Sequence, residues 1–244
     1  MKISLFLLLL GGLLGQTAVS QAKAPPKRPT IWTLEVSRWG KDPMLILLTG
    51  FGPFGDIADN PSGRIVEPLA RELTRHCGQN VSFEPHQLEV KPGVIDSLFL
   101  DRYRKVLSIG VAASSSSIRI ETIATNYYYD PETGEGTPID PNRPTYATVT
   151  GGPLPLGIDS PVEGFEVELG GMGTAGNYVC NDTFYRICQK TRAGYFIHIP
   201  NTDPKDDSRL TTALGKLACR ILHTRLPFDQ SSGSKKTPNP GAKF

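Results

Sequence analysis

Three short apolar runs, each ending on a glycine or proline, constrain this chain more than any other feature. Met44-Leu-Ile-Leu-Leu-Thr49 stops at Gly50, Lys105-Val-Leu-Ser-Ile109 at Gly110, and Tyr195-Phe-Ile-His-Ile199 at Pro200. Runs this short and this continuous suit strands buried on both faces, the condition of a parallel sheet covered by helices. Helical signals lie between them. Asn60-Pro61-Ser62 opens a helix with proline in its first turn, Ile65, Leu69 and Leu73 continue it, and Gly78 closes it. Segments 93–103, 178–190 and 210–226 also read as helices, and 81–90 and 118–125 as further strands. Phe165-Glu-Val-Glu-Leu169 alternates like a strand, whereas the stretch before it, from Gly157, has no helical signal. Segment 126–155 reads as one long loop rich in Pro, Gly, Asp and Tyr, and no internal repeat occurs. Strands alternating with helices predict an α/β fold: a three-layer α/β/α domain around a mostly parallel, mixed sheet.

The ends divide the chain further. Met1-Lys2, an apolar run from Ile3 to Leu14 and a small, polar exit from Gln16 to Ala22 form the pattern of a secretory signal. The run is too short to span a bilayer comfortably. Residues 1–20 are therefore read as a signal peptide, 21–43 as a linker or arm (Trp32–Trp39 as an added strand or packed arm), 44–228 as the folded domain and 229–244 as a disordered tail. The expected location is secreted or periplasmic, with no membrane partner once the leader is cleaved. With 26 Lys+Arg against 24 Asp+Glu, the net charge of +2 leaves no polyanion footprint, so nucleic acid is not an expected partner. Four cysteines without a Cys-x-x-Cys support neither a disulfide scaffold nor a zinc ribbon.

Cys180, His198 and Glu121 form the first candidate constellation. Cys180 falls in the first turn of a helix that follows glycine-rich 170–176, where the helix dipole and unpaired N–H groups suit a nucleophilic sulfur and an oxyanion. His198 lies near the C-terminal end of a strand, where ligand chemistry collects in open α/β sheets. Glu121 sits on another strand beside isoleucines. Nucleophile, base and orienting acid are what a thiol hydrolase needs. The same spacing also allows Cys180, Phe184, Ile187 and Cys188 to be an ordinary apolar helix stripe. Gly171-Met-Gly173-Thr-Ala-Gly176, with Asp203 past the next strand, has the layout of a dinucleotide loop, but too little chain follows to complete such a fold. Phe51 and Phe54, on the turn Gly50-Phe-Gly-Pro-Phe-Gly55, could form an apolar slot or cap the core. Tyr127-Tyr-Tyr129-Asp130 reads as a loop anchor rather than a cleft wall. His76, His86 and His223 lack ligand spacing, and no Gly-x-Ser-x-Gly elbow occurs. Cys188, roughly 12 Å along the helix from Cys180, cannot bridge to it. Cys188 and Cys219 read as buried unbridged thiols, and Cys77 as the exposed one.

Four blocks, in order, resemble the pyroglutamyl peptidase I (pyrrolidone-carboxylate peptidase) family of cysteine peptidases. They are Leu48-Thr-Gly-Phe-Gly-Pro-Phe-Gly55 with Asn60-Pro-Ser62, then Ile120-Glu121-Thr-Ile-Ala-Thr-Asn126, Ala175-Gly-Asn-Tyr-Val-Cys180-Asn181, and Phe196-Ile-His198-Ile-Pro200. The resemblance implies that Cys180 is the nucleophile, His198 the base and Glu121 the group that orients the histidine. It implies that Phe51 and Phe54 sandwich the flat lactam ring of a pyroglutamyl-capped peptide and that Asn60 shapes that site. No metal or organic cofactor is implied, and a homo-oligomer stays open. The chain departs from the family pattern at Gly52, where an acidic residue is usual, at Ser114–Ser117, where many members carry Gly-Arg, and between Gly157 and Gly170, where a helix is usual. It also carries the leader, whereas most members are cytoplasmic. An exported, non-catalytic binder of capped peptides and a nucleotide-dependent oxidoreductase remain the alternative readings.

Overall fold

A computed structural model describes residues 44–77, 81–191 and 193–223. The expected signal peptide, arm and tail, Gly78 and the last residues of the expected C-terminal helix lie outside the described residues.

Six strands form the main sheet, in the order β2 (Val81–Leu88), β1 (Met44–Phe51), β3 (Lys105–Ala112), β10 (Gly194–Pro200), β4 (Ile118–Glu121) and β9 (Val167–Gly170). Every neighbouring pair is parallel except β10 with β4, so the sheet is mostly parallel and mixed. The apolar runs of β1, β3 and β10 occupy the middle, which is why they alternate so little. Pro85 is tolerated in β2 because that strand is the sheet edge.

Alternate residues feed two separate cores. Ile46, Leu48, Leu107, Ile109, Ile197 and Ile199 pack on one face with helices α1 (Pro61–His76) and α3 (Asp207–His223). Leu47, Phe51, Val106 and Phe196 face the other way, against helix α2 (Val179–Lys190) and the segment around Ile95 and Tyr103. This is the expected three-layer arrangement. The α1–α3 pair is clamped by Arg64, whose Nε and Nη2 donate to the two carboxylate oxygens of Asp207 at 2.6 and 2.8 Å.

Three expectations require correction. Segment 93–103 is not one helix but two 3₁₀ turns, Val94–Ser97 and Leu100–Arg102, because Gly93 enters at φ 69° and Leu98 is extended. Its position is fixed instead by ties to α2: Asp182 accepts from the Gly93 N–H at 2.7 Å, and Asp96 accepts from Arg186 and Lys190 at 2.6 Å each. The long loop contains two small sheets, β5 (Ile123–Thr125) with β8 (Thr148–Thr150) and β6 (Tyr128–Asp130) with β7 (Glu135–Thr137). Cys77 and Cys219 are neither exposed nor unbridged. They form a disulfide, Cα–Cα 5.2 Å, because α1 and α3 pack side by side and bring together residues 142 apart in sequence.

Candidate active site

Pairing of β10 with β4 builds the first half of the site. In that antiparallel register Phe196 lies opposite Glu121 and His198 opposite Arg119. All four side chains share a face, which makes His198 and Glu121 diagonal neighbours across the ladder. His198 Nδ1 meets Glu121 Oε1 at 2.7 Å, with 6% and 0% of the two side chains exposed. The Phe196 ring stands edge-on to the imidazole, centroids 5.0 Å apart.

The second half comes from the N-terminus of α2, which carries Cys180 over the C-terminal end of β3. Gly110 of β3 is the register partner of His198. A Cβ at Gly110 would stand 2.9 Å from Cys180 Sγ and 2.8 Å from the Phe196 ring. The sulfur therefore occupies space that only a glycine leaves, beside the register partner of His198, and both residues line the same cleft. Nδ1 is held by Glu121, so Nε2 is the nitrogen presented to the sulfur. Tyr178, the residue before α2, makes no side-chain cap to the first-turn N–H groups.

The electrostatics form a chain. Burial alone would lower the His198 pKa, but the facing Cys180 and then Glu121 outweigh it and push the imidazole up to about 9. Burial pushes the Glu121 carboxyl up, yet donors from His198, Arg119 and Thr174 prevail and hold it below its usual value. Arg119 Nε donates to Oε1 at 2.8 Å, and the Thr174 hydroxyl donates to Oε2. Gly170 leaves room for that carboxylate, since a Cβ there would stand 2.1 Å from Oε2.

The Gly-x-Gly-x-x-Gly segment thus has a different task from a dinucleotide loop. Gly173 and Gly176 take positive φ, 85° and 78°, so that the chain can turn from β9 into α2. On the way, Thr174 is set against Glu121, and Arg119 Nη2 donates to the Thr174 carbonyl at 3.2 Å. The segment forms the wall behind the carboxylate.

A cleft of about 290 Å³ opens over these groups, lined by Phe51, Phe54, Val90, Arg119, Cys180 and His198 among others. Phe51 is buried against Phe196, ring centroids 6.4 Å apart, and Phe54 is half-exposed. Asn60 also borders the cleft, but its side chain is committed to the protein. Nδ2 donates to the Gly52 carbonyl at 2.8 Å, and Oδ1 accepts the Ser62 N–H at 3.0 Å and its hydroxyl at 2.9 Å. Ser62 Oγ in turn accepts the Phe51 N–H at 3.0 Å. Asn60 caps α1 and pins the phenylalanine turn.

The tyrosine cluster is an anchor. Tyr128 stacks on Tyr178, centroids 5.7 Å apart, and the Tyr129 N–H donates to the Asn177 carbonyl at 2.7 Å. Asn181, buried beside Cys180, donates to the Thr125 and Tyr127 carbonyls at 2.8 Å each and accepts the Thr125 N–H at 2.9 Å. The segment that carries Cys180 is thereby fastened to β5 and the β6–β7 hairpin. His76, His86 and His223 bond elsewhere, and among the described residues no cluster of His, Cys, Asp and Glu could hold a metal.

Sequence reasoning missed Arg119, Thr174, Gly110 and Asn181 as parts of this site. Arg119 could have been found from period-two alternation, since residues two apart on a strand share a face. Thr174 and Asn181 flank the cysteine in the quoted motifs, but their partners lie 53 and 56 residues away.

No family model matches the chain. Pyrrolidone-carboxylate peptidase 1 of Saccharolobus solfataricus is 31% identical over 169 residues, 64% of this chain and 79% of that protein. Pyrrolidone-carboxylate peptidase of Halalkalibacterium halodurans is 31% identical over 176 residues, 64% of this chain and 83% of that protein. Among solved structures, pyroglutamyl peptidase I of Bacillus amyloliquefaciens superposes with a TM-score of 0.60 at 24% identity, covering 73% of this chain and 96% of its own. Pyrrolidone carboxyl peptidase of Thermococcus litoralis gives 0.57 at 20% identity, covering 73% and 93%. These superpositions show a shared α/β fold.

Proposed function

The chain belongs to the pyrrolidone-carboxylate peptidase family of hydrolases, and from that premise we propose that it removes the N-terminal pyroglutamyl (5-oxoprolyl) residue from peptides with Cys180, His198 and Glu121. The observation that carries this reading is the buried His198–Glu121 pair, Nδ1 to Oε1 at 2.7 Å, whose imidazole shares one cleft with Cys180, Phe51 and Phe54.

A cyclised N-terminal glutamine has no ammonium. Its flat, neutral lactam suits the slot between Phe51 and Phe54, where a charged terminus would be desolvated without a partner. The scissile carbonyl then lies over Cys180. The thiolate, paired with the His198 imidazolium, attacks that carbonyl carbon, and a C–S bond forms as the oxygen takes the negative charge. The N–H groups of the first turn of α2 face that oxygen. His198 gives its Nε2 proton to the leaving amine as the C–N bond breaks. It next takes a proton from water, and the hydroxide attacks the thioester carbon; a C–O bond forms, the C–S bond breaks, pyroglutamate leaves, and the sulfur returns to the thiolate paired with the His198 imidazolium. The Nδ1 proton stays on the imidazole throughout, donated to the Glu121 carboxylate, which holds the ring's orientation. The cycle closes with the chain's own groups.

The proposal extends to export, so that the enzyme works in an oxidising compartment. The leader pattern and the Cys77–Cys219 bridge both support it, because persistent disulfides belong to such compartments. A cytoplasmic location would leave the bridge reduced.

The test is turnover of a pyroglutamyl-coumarin substrate by the wild-type chain and by Cys180→Ser. A loss of at least ~10³-fold in the variant is expected. Binding of a capped peptide without any turnover by reduced wild-type protein would favour a non-catalytic binder.

A further inference from the structure

Glu121 is buried with two donors on a single oxygen. Oε1 accepts from both His198 Nδ1, at 2.7 Å, and Arg119 Nε, at 2.8 Å. Arg119 stands two residues before Glu121 on β4, directly opposite His198, and its side chain is 21% exposed toward the cleft. Its Nη2 donates to the Thr174 carbonyl, in the loop that leads to Cys180. One guanidinium therefore touches both the carboxylate of the series and the segment that carries the sulfur. The Ser114–Ser117 turn before β4 brings no cation.

We propose that Arg119 is a positioning residue for this reaction, fixing the Glu121 carboxylate and, by sharing its oxygen, limiting its hold on the imidazole. The proposal rests on the reading of Cys180, His198 and Glu121 as the reacting series. A buried carboxylate with one imidazole partner can draw the proton toward itself or over-stabilise the imidazolium. Two cations change that balance. The carboxylate stays ionised, while the second positive charge opposes the first and leaves the imidazole proton easier to release to the departing amine. The guanidinium suits this task because it cannot be deprotonated and its planar fork can serve two acceptors at once.

The charged and titratable groups around His198 are few. Cys180 faces it from α2, and Glu121 and Arg119 face it from β4. Tyr178 borders the cleft at the start of α2. Glu168 of β9 stands opposite Arg119 in register and is solvent-exposed, so it is screened from the ring.

The experiment compares wild type, Arg119→Gln and Arg119→Lys in full-length protein, with thermal melts to verify folding. The first readout is the His198 titration by NMR, which requires no substrate. The Gln variant is expected to raise the midpoint by at least about half a pH unit, because the opposing charge is gone, and the Lys variant to leave it near wild type. The second readout is pyroglutamyl-coumarin turnover. The Gln variant is expected to lose about tenfold in kcat with KM within about threefold, and Lys to recover most of that loss. An unmoved His198 midpoint in the Gln variant, or a loss confined to KM, would overturn the proposal. Should Arg119→Gln not fold, the Lys variant decides. A partial kcat loss at unchanged KM supports the positioning role, and a raised KM at unchanged kcat overturns it. If wild type itself fails to turn over the substrate, the peptidase reading falls while the titration still decides whether Arg119 tunes His198.

Discussion

The Cys77→Ala/Cys219→Ala double variant cuts the covalent link between α1 and α3, and it separates stability from catalysis. The bridge joins residues 142 apart. Closing a loop of that length removes about 5 kcal/mol of chain entropy from the unfolded state in the loop-closure model, and native bridges typically contribute roughly 2–5 kcal/mol. For a domain of this size each kcal/mol corresponds to about 2–4 °C, so the melting temperature should fall by roughly 5–15 °C. Turnover at 25 °C should change less than about twofold. The cysteines sit with the α1–α3 core, whereas Cys180 and α2 pack on the other face of the sheet. Moreover, Cys77 follows the C-terminal end of α1, and the Asn60 cap that shapes the cleft lies at the other end of that 16-residue helix, about 24 Å away. The assay is a thermal melt paired with turnover below the transition, alongside mass mapping of non-reduced protein. An unshifted melting temperature with both thiols free in protein from the exported fraction would refute the structural role of the bridge. A large kcat loss at intact fold would refute the separation of the two layers.

Other outcomes follow from single features of the site. Iodoacetamide at neutral pH should label Cys180 alone and abolish turnover in step with labelling, because burial pushes the Cys188 thiol up to about 12 and the other two cysteines are bonded; peptide mapping that finds Cys188 alkylated first would contradict this. Gly110→Ala should cost at least about tenfold in kcat, since its methyl would meet the sulfur at 2.9 Å and force Cys180 away from His198; wild-type turnover would show that the sulfur has another resting place. His198 has a folded pKa raised from 6.5 to about 9, so it contributes stability that is complete below about pH 6.5 and lost as pH rises through 9. Denaturant midpoints measured from pH 6 to 10 should therefore decline more in wild type than in His198→Ala, and parallel curves would contradict the coupling. Phe54→Ala should raise KM more than it lowers kcat if the ring only grips the lactam, as steady-state kinetics on the coumarin substrate would read.

What could be read from the sequence was what local physics determines. The strands β1, β3 and β10 were legible because burial on both faces leaves an uninterrupted apolar run; Gly50 and Pro200 fall next to and at the ends of β1 and β10, whereas β3 runs two residues past Gly110. Cys180, His198 and Glu121 were legible as residue types at the right ends of predicted elements, and the order of the four motifs joined them. The Cys77–Cys219 pairing was hidden, because helix–helix packing, rather than spacing, sets which thiols meet. The helix expected over 93–103 failed for a similar reason: Asp182, Arg186 and Lys190, 89 to 94 residues downstream of their partners, hold that segment in two short turns and leave its own propensity little say.

Arg119 shows the same limit inside the site. On a strand, an arginine between two isoleucines reads as the solvent-facing half of an alternation, and Ile118 and Ile120 do bury on the opposite side. That pattern holds only while the polar face meets water. Here the polar face meets α2 and the glycine loop across a narrow cleft, so the two hydrophilic residues of the alternation, Arg119 and Glu121, become a pair of opposite charges with little access to solvent. A carboxylate with 0% side-chain exposure requires compensation. The chain supplies it from three directions: an imidazole on β10, a hydroxyl in the 171–176 loop and a guanidinium on the same strand. Substituting Arg119 should therefore disturb the reaction from a position that a strand pattern assigns to the surface.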